Sequence, residues 1–159
     1  MASLQSQIKQ IQRDLARDLK KSLKKRAEDY SQTWKEIVTP SIKSSGKNSQ
    51  TQYKSTGETL DSIGVLEFTG TTATIGYDTS LIHPEPRANG WNAHMDTFGV
   101  GADSTSSSED IPLFIEYGEN SPYYSRRGVD AIGKTERHIE QNFENDVIKD
   151  LAEMGYEIG

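Results

Sequence analysis

The chain contains no cysteine, which excludes disulfides, thiolate metal ligands and cysteine nucleophiles together. Apolar residues are scarce as well. They make up 33% of the 159 residues, and adding the 13 glycines still leaves the share below the about 45–50% of ordinary globular domains. A chain of this length fits one domain burying roughly 70% of its unfolded surface, so the shortage predicts a thin core flanked by irregular segments that gain order from a partner. No apolar run approaches the roughly 20 residues of a membrane helix. The N-terminus, polar from Gln5 onward, lacks the apolar block of a signal peptide. A soluble protein made in a cytoplasm, with no membrane partner, is expected.

Charge is plentiful and unevenly placed. The net charge of −6 conceals twelve Lys or Arg against five Asp or Glu in residues 1–54, a balance of +7. Residues 55–159 hold six against nineteen, a balance of −13. The polypeptide is therefore an electrostatic dipole along its sequence.

Leu4, Ile8, Ile11, Leu15, Leu19, Leu23, Ala27, Tyr30, Trp34 and Ile37 recur every three or four residues, the spacing that keeps them on one helical face. This predicts a helix over 1–39, capped at Ser3 and stopped at Thr39-Pro40, because proline disfavours helical geometry in the residue before it. A rod of roughly 50 Å outruns a small domain, so part of its stripe is expected to pack on another chain. The opposite face carries Arg13, Arg17, Lys20, Lys21, Lys24, Lys25 and Arg26. Such a run is commonly a solvated face; its functional alternative is contact with nucleic-acid phosphates or an acidic protein surface. No aromatic interleaves the cluster, which argues against sequence-specific nucleic-acid recognition.

Residues 41–55, "SIKSSGKNSQTQYKS", read as a linker. The region 56–118 reads as a sheet: "IGVLEF" and "ATIGYD" form a hairpin over 63–78, and "IPLFIEYG" supplies a third strand. Between them, 81–110 is a long loop without period, of a length that is usually functional or disordered. Its Trp91 and Phe98 suggest docking on a neighbouring subunit. Residues 119–134 read as irregular, with Tyr123, Tyr124, Arg126 and Arg127 as further interface candidates. Ile139, Phe143, Val147, Ile148, Leu151 and Met154 share one face of a helix over 135–155, with Gly155 placed for its C-terminal cap. The order predicts a single α+β domain with a long N-terminal amphipathic helix, a small antiparallel sheet of three or four strands and a C-terminal helix.

The residues offer little chemistry. "HPEPRANGWNAHMD" repeats a His-x-acid unit, His83 with Glu85 and His94 with Asp96, and imidazole with carboxylate can hold zinc or iron. The units lie on an aperiodic loop without the fixed spacing that a helix or strand gives a ligand pair. There is no G-x-S-x-G elbow, and "GVGAD" at 99–103 lacks the lysine and following helix of a phosphate cradle. His138, beside Phe143 on the last helix, reads as structural or surface. No catalytic residue, metal or cofactor is assigned. A metal-dependent enzyme using His83 and His94 stays as the lesser alternative, behind a generic oligomeric protein-binding module.

Two motifs carry a resemblance. Thr56, Gly57, Leu60, Ser62 and Ile63 form "TGETLDSI", and Phe114, Glu116, Tyr117 and Gly118 form "FIEYGE". With the flanking helices, over residues 4–155, the chain resembles the tail-completion, or head-tail joining, family of long-tailed bacteriophages. In that family an amphipathic helix leads to a "TG-x-L-x-x-S-I" turn and strand, a hairpin, a "Y-x-E-[FY]-G-T" motif and a C-terminal helix. This chain has one residue more between Gly57 and Leu60 and Phe114 in the family's tyrosine position. After Gly118 it departs from the "P-A-R-P-F-[LM]" segment. The resemblance implies a non-enzymatic part of the virion neck, assembled in the host cytoplasm as a homo-oligomeric, sixfold ring. Its partners would be the tail tube or its terminator and a head-closure or portal-side protein. Genomic DNA would pass through the lumen without sequence-specific binding, along a wall formed by the acidic portion.

Overall fold

A single α-helix, α1, runs from Leu4 to Ser45, about 60 Å at the usual rise, in a computed structural model that describes residues 4–45, 57–83, 110–120 and 125–157. The apolar period predicts this helix, but its end lies past the expected stop. Pro40 sits inside it. Proline removes one intrahelical N–H and crowds the carbonyl four residues back, yet the turn beside it is anchored. Val38 is fully buried in the core, and Thr39 Oγ1 donates to Lys35 O at 2.7 Å. The expected linker is corrected accordingly: residues 41–45 are helical, while 46–56 and the expected cap Ser3 lie outside the described residues.

A short helix, α2 (Glu58–Asp61), follows Gly57, which takes the left-handed φ of 86° that glycine adopts at no steric cost. It feeds β1 (Ile63–Phe68), which pairs antiparallel with β2 (Ala73–Tyr77); Ile63 faces Tyr77, and the register shifts between Val65 and Glu67. The predicted hairpin is thus present, and it lies along α1. At its base Trp34 meets Tyr77 edge-on, with ring centroids 5.2 Å apart; at its tip Lys20 Nζ stands 6.0 Å from the centroid of the Phe68 ring. A 3₁₀ turn, Thr79–Leu81, closes the segment.

The third strand is not a strand. Residues Asp110–Tyr117 form a helix, α3, with Pro112 in its first turn, where a missing N–H costs nothing. The alternation in "LFIEY" suggests a sheet, but the chain uses the four-residue period: Ile111 and Ile115 turn toward the core, while Leu113 and Tyr117 stay exposed. Short apolar runs carry both patterns at once, and tertiary contact selects one. The sheet therefore has two strands, not three or four. A separate ribbon pairs β3 (Gly118–Asn120) with β4 (Ser125–Arg127), inside the stretch expected to be irregular. The last helix, α4 (Ala131–Glu153), begins four residues before the expected position. It ends as the sequence predicts: Gly155 has φ 93°, its N–H donates to Ala152 O, and Tyr156 N–H donates to Leu151 O, the paired bonds of a Schellman cap.

The fold is mostly helical around a small core. Trp34 and Val38 of α1, Ile63 of β1, Ile115 of α3 and Ala131 of α4 form one buried cluster. Among the described residues this cluster takes five apolar side chains from four elements. α4 packs antiparallel on α1 beside this cluster, with Tyr30 near Asp146 and Tyr156 near Asp18.

Candidate functional site

Of the motif residues, Leu60, Ser62, Ile63 and Glu116 lie at or beside the core, whereas Tyr117 is exposed. Leu60 packs on the core and Ile63 belongs to it. Buried Ser62 donates its Oγ to Thr59 O at 2.8 Å and accepts Asp78 N–H on its carbonyl at 2.7 Å, pinning the start of β1. Glu116 is buried, and both carboxylate oxygens are used: Tyr77 Oη donates to Oε1 at 2.9 Å, and Ile132 N–H donates to Oε2 at 3.0 Å. Trp34 Nε1–H donates to Tyr77 Oη at 3.3 Å. A hydrogen-bonded chain thus joins α1, β2, α3 and the first turn of α4.

Ile132 is the second residue of α4, where helical N–H groups lack intrahelical acceptors. The preceding Asp130 has the left-handed φ of 51° and makes no side-chain cap; its carboxylate pairs with Arg137 at 3.1 Å instead. Glu116 therefore caps α4 from a distance in sequence, and its charge complements the positive end of the helix dipole. The approach is held by backbone. Val129 N–H donates to Ile115 O at 2.9 Å and Asp130 N–H to Glu116 O at 3.1 Å. A Cβ on Gly128 would strike the main chain of Glu116, Tyr117 and Gly118, so only glycine permits this contact. Gly118 itself turns with φ 83° from α3 into β3.

The second feature is the seam between α1 and α4. Asp150 is 1% exposed. Its Oδ1 receives Lys25 Nζ and Arg26 Nη2, each at 2.5 Å, and its Oδ2 receives Arg26 Nε at 2.8 Å and Ser22 Oγ at 2.7 Å. Burial would raise its pKa, but hydrogen bonds from Arg26, Lys25 and Ser22 outweigh that and hold it well below the carboxylate range. Arg26 is pushed up in turn by its bond to Asp150. One turn along, Tyr30 Oη donates to Asp146 Oδ2 at 2.9 Å; burial and then this bond raise the phenol. At the other end Asp18 takes Arg17 at 3.1 Å, Lys21 at 3.0 Å and Tyr156 Oη at 3.1 Å. Bonds from Arg17 and Lys21 lead in lowering its pKa.

This changes the reading of the basic face. Of its predicted members Arg17, Lys21, Lys25 and Arg26 are occupied by carboxylates, and Lys20 leans over the hairpin tip. Lys24 is exposed. Arg17 and Lys21 pair with Asp14 and Asp18 of α1 itself and, like Lys20, Lys24 and Lys25, stay exposed. Arg26 departs from the expected opposite face, because it lies in the seam, where it and Lys25 meet Asp150 of α4.

Other candidates fall as follows. Arg127 is exposed on β4, and Arg126 pairs through its backbone with Glu119. Trp91, Phe98, Tyr123, Tyr124 and Thr56 lie outside the described residues, as do Glu85, His94 and Asp96. His83 is exposed, its N–H donating to Glu58 Oε2 at 3.0 Å. Among the described residues no group of three or more potential ligands could hold a metal, and no helix is long and apolar enough to cross a membrane. His138 stands edge-on to Tyr30, with ring centroids 5.9 Å apart.

Sequence reading missed Trp34 and Tyr77 as polar partners, Gly128 as a close-approach site, and Asp150. The available signal for Asp150 was the four-residue spacing of Asp146 and Asp150 opposite a basic helix of equal period. No family model matches the chain, and neither a curated protein nor a solved structure matches it.

Proposed function

We propose that the chain is a structural, non-enzymatic component of the neck of a long-tailed phage virion. In this reading it forms a homo-oligomeric ring, sixfold as in the family it resembles, between the tail tube or its terminator and the head-closure or portal-side protein. The observation that carries the reading is that Leu60, Ser62 and Ile63 of one motif and Glu116 of the other sit at or beside one core. The "TGETLDSI" residues build the turn and strand start at the core, and Glu116 of "FIEYGE" ties α3 to Tyr77 and to the start of α4. Such residues fix the relative placement of all four helices and the hairpin, which is what a scaffold needs.

The charge supports the same reading. The full sequence carries a net charge of −6, and a net negative charge suits a wall along which DNA slides without adhering. Mixing the purified full-length chain with tails of the phage that encodes it tests the reading. Co-sedimentation, with added density at the head-proximal tail end in electron micrographs, is expected. Absence of binding to tails and to portal-bearing heads contradicts it.

A further inference from the structure

α4 covers only part of the α1 face on which it packs. Asp146 reaches Tyr30, Asp150 reaches Ser22 and Arg26, and Tyr156 reaches Asp18; the turn at Gly155 then ends α4 opposite Asp18. Toward its N-terminus α1 continues for about four more turns, roughly 20 Å. At helical spacing Leu4, Ile8, Ile11 and Leu15 extend the face that carries Asp18, Ser22 and Arg26. Among the described residues the outer part of this extension is uncovered: Leu4 is 72% exposed, Ile11 61% and Ile8 46%, while Leu15 is half-buried. Burying a side chain of this kind is worth roughly 1.5–3 kcal/mol, so the stripe favours a partner.

A matching surface stands on α4. Phe143, Val147 and Met154 share one flank of that helix by spacing, and Phe143 and Met154 are exposed. The exposed carboxylates of Glu136, Glu140 and Glu144 border it. The arm at residues 4–17 carries Lys9, Arg13 and Arg17 against Asp14. Its own α4 is out of reach, because α1 is one continuous helix that leads away past the end of α4. Two arms laid on each other would bring like charges together.

We propose that the arm of α1, residues 4–17, docks on the acidic flank of α4 in a second copy of this chain. The contact repeats between copies the basic-on-acidic packing of α1 on α4 within each. Donor and acceptor surfaces differ, so the contact is head-to-tail and propagates into a closed ring or an open filament. The proposal deepens the neck reading, on which it rests for closure into a ring.

Charge exchange on the full chain tests it. One variant carries Lys9→Glu and Arg13→Glu, the other Glu140→Lys and Glu144→Lys; none of these side chains is paired with another described residue, and circular dichroism verifies that both variants fold. In sedimentation velocity the unaltered chain is expected to associate. Each variant alone should need at least tenfold higher concentration, and an equimolar mixture should associate like the unaltered chain, since each arm then meets a flank of opposite charge. An unaltered chain that stays monomeric at tens of micromolar overturns the proposal, including the case in which the chain's own loop covers the arm. So does association unaffected by either variant, or a mixture that fails to recover. Tail binding separates the two readings: a monomer that still joins tails refutes the docking alone, whereas charge-dependent assembly without tail binding refutes the neck role alone.

Discussion

Arg26 and Asp150, 124 residues apart in sequence, meet as a two-point ion pair, with Nη2 to Oδ1 at 2.5 Å and Nε to Oδ2 at 2.8 Å. The guanidinium fork matches a carboxylate in this geometry, and Ser22 and Lys25 complete the acceptor set of Asp150. A buried pair of this kind does not add much over an apolar contact, but breaking it strands a charge.

Asp150→Asn should therefore destabilise the fold by about 3 kcal/mol at neutral pH, the order found when one partner of a buried pair is removed. The pH dependence has a definite sign. Asp150 and Asp18 both have folded pKa values below the ordinary carboxylate range, so their stabilisation is complete above about pH 4 and is lost as pH falls below it. Thermal melts should show the native midpoint dropping as pH falls below about 4, with a flatter acid limb in the variant. Parallel acid limbs would remove Asp150 from the linkage.

Tyr77→Phe leaves Trp34 Nε1–H and Glu116 Oε1 without the hydroxyl that joins them. The expected cost is about 1–3 kcal/mol, the penalty for stranding buried polar groups. Glu116→Gln weakens the same bond and the cap on α4. Denaturant titration of both single variants and the double variant should give a coupling energy of about 1 kcal/mol, as for residues in one network. Additive effects would mean that the two side chains act independently.

Gly128→Ala should cost about 1–3 kcal/mol as overpacking against main chain, since its Cβ meets the backbone of Glu116, Tyr117 and Gly118. Gly64→Ala is the control: a Cβ there meets nothing within 4 Å. It should be close to neutral in the same melts. Equal effects at the two positions would argue against a special approach at Gly128.

Legibility in the sequence followed the range of the interactions. The stripe from Leu4 to Ile37 predicts α1, and Gly155 predicts its partner's end, because both signals are local. Pro40 misleads because the stop rule is also local, whereas the turn beside it is held by buried Val38 in the core. "IPLFIEYG" misleads because a short apolar run fits either period, and the choice is made by Ile111 and Ile115 meeting residues far away in sequence. The roles of Glu116 and Asp150 depend on partners 16 to 128 residues distant, which no window of sequence contains. The uneven charge between the two parts of the chain was visible; that the fold joins them across one seam was not.

The proposed structural role in joining heads to tails is tested most directly by electron microscopy of a lysate of the phage that, on this proposal, encodes the chain, carrying a stop codon in its gene. The account predicts DNA-filled heads and completed tails that remain separate, with joined particles restored on adding the purified full-length chain. Normally joined, infectious particles made without the protein would contradict it.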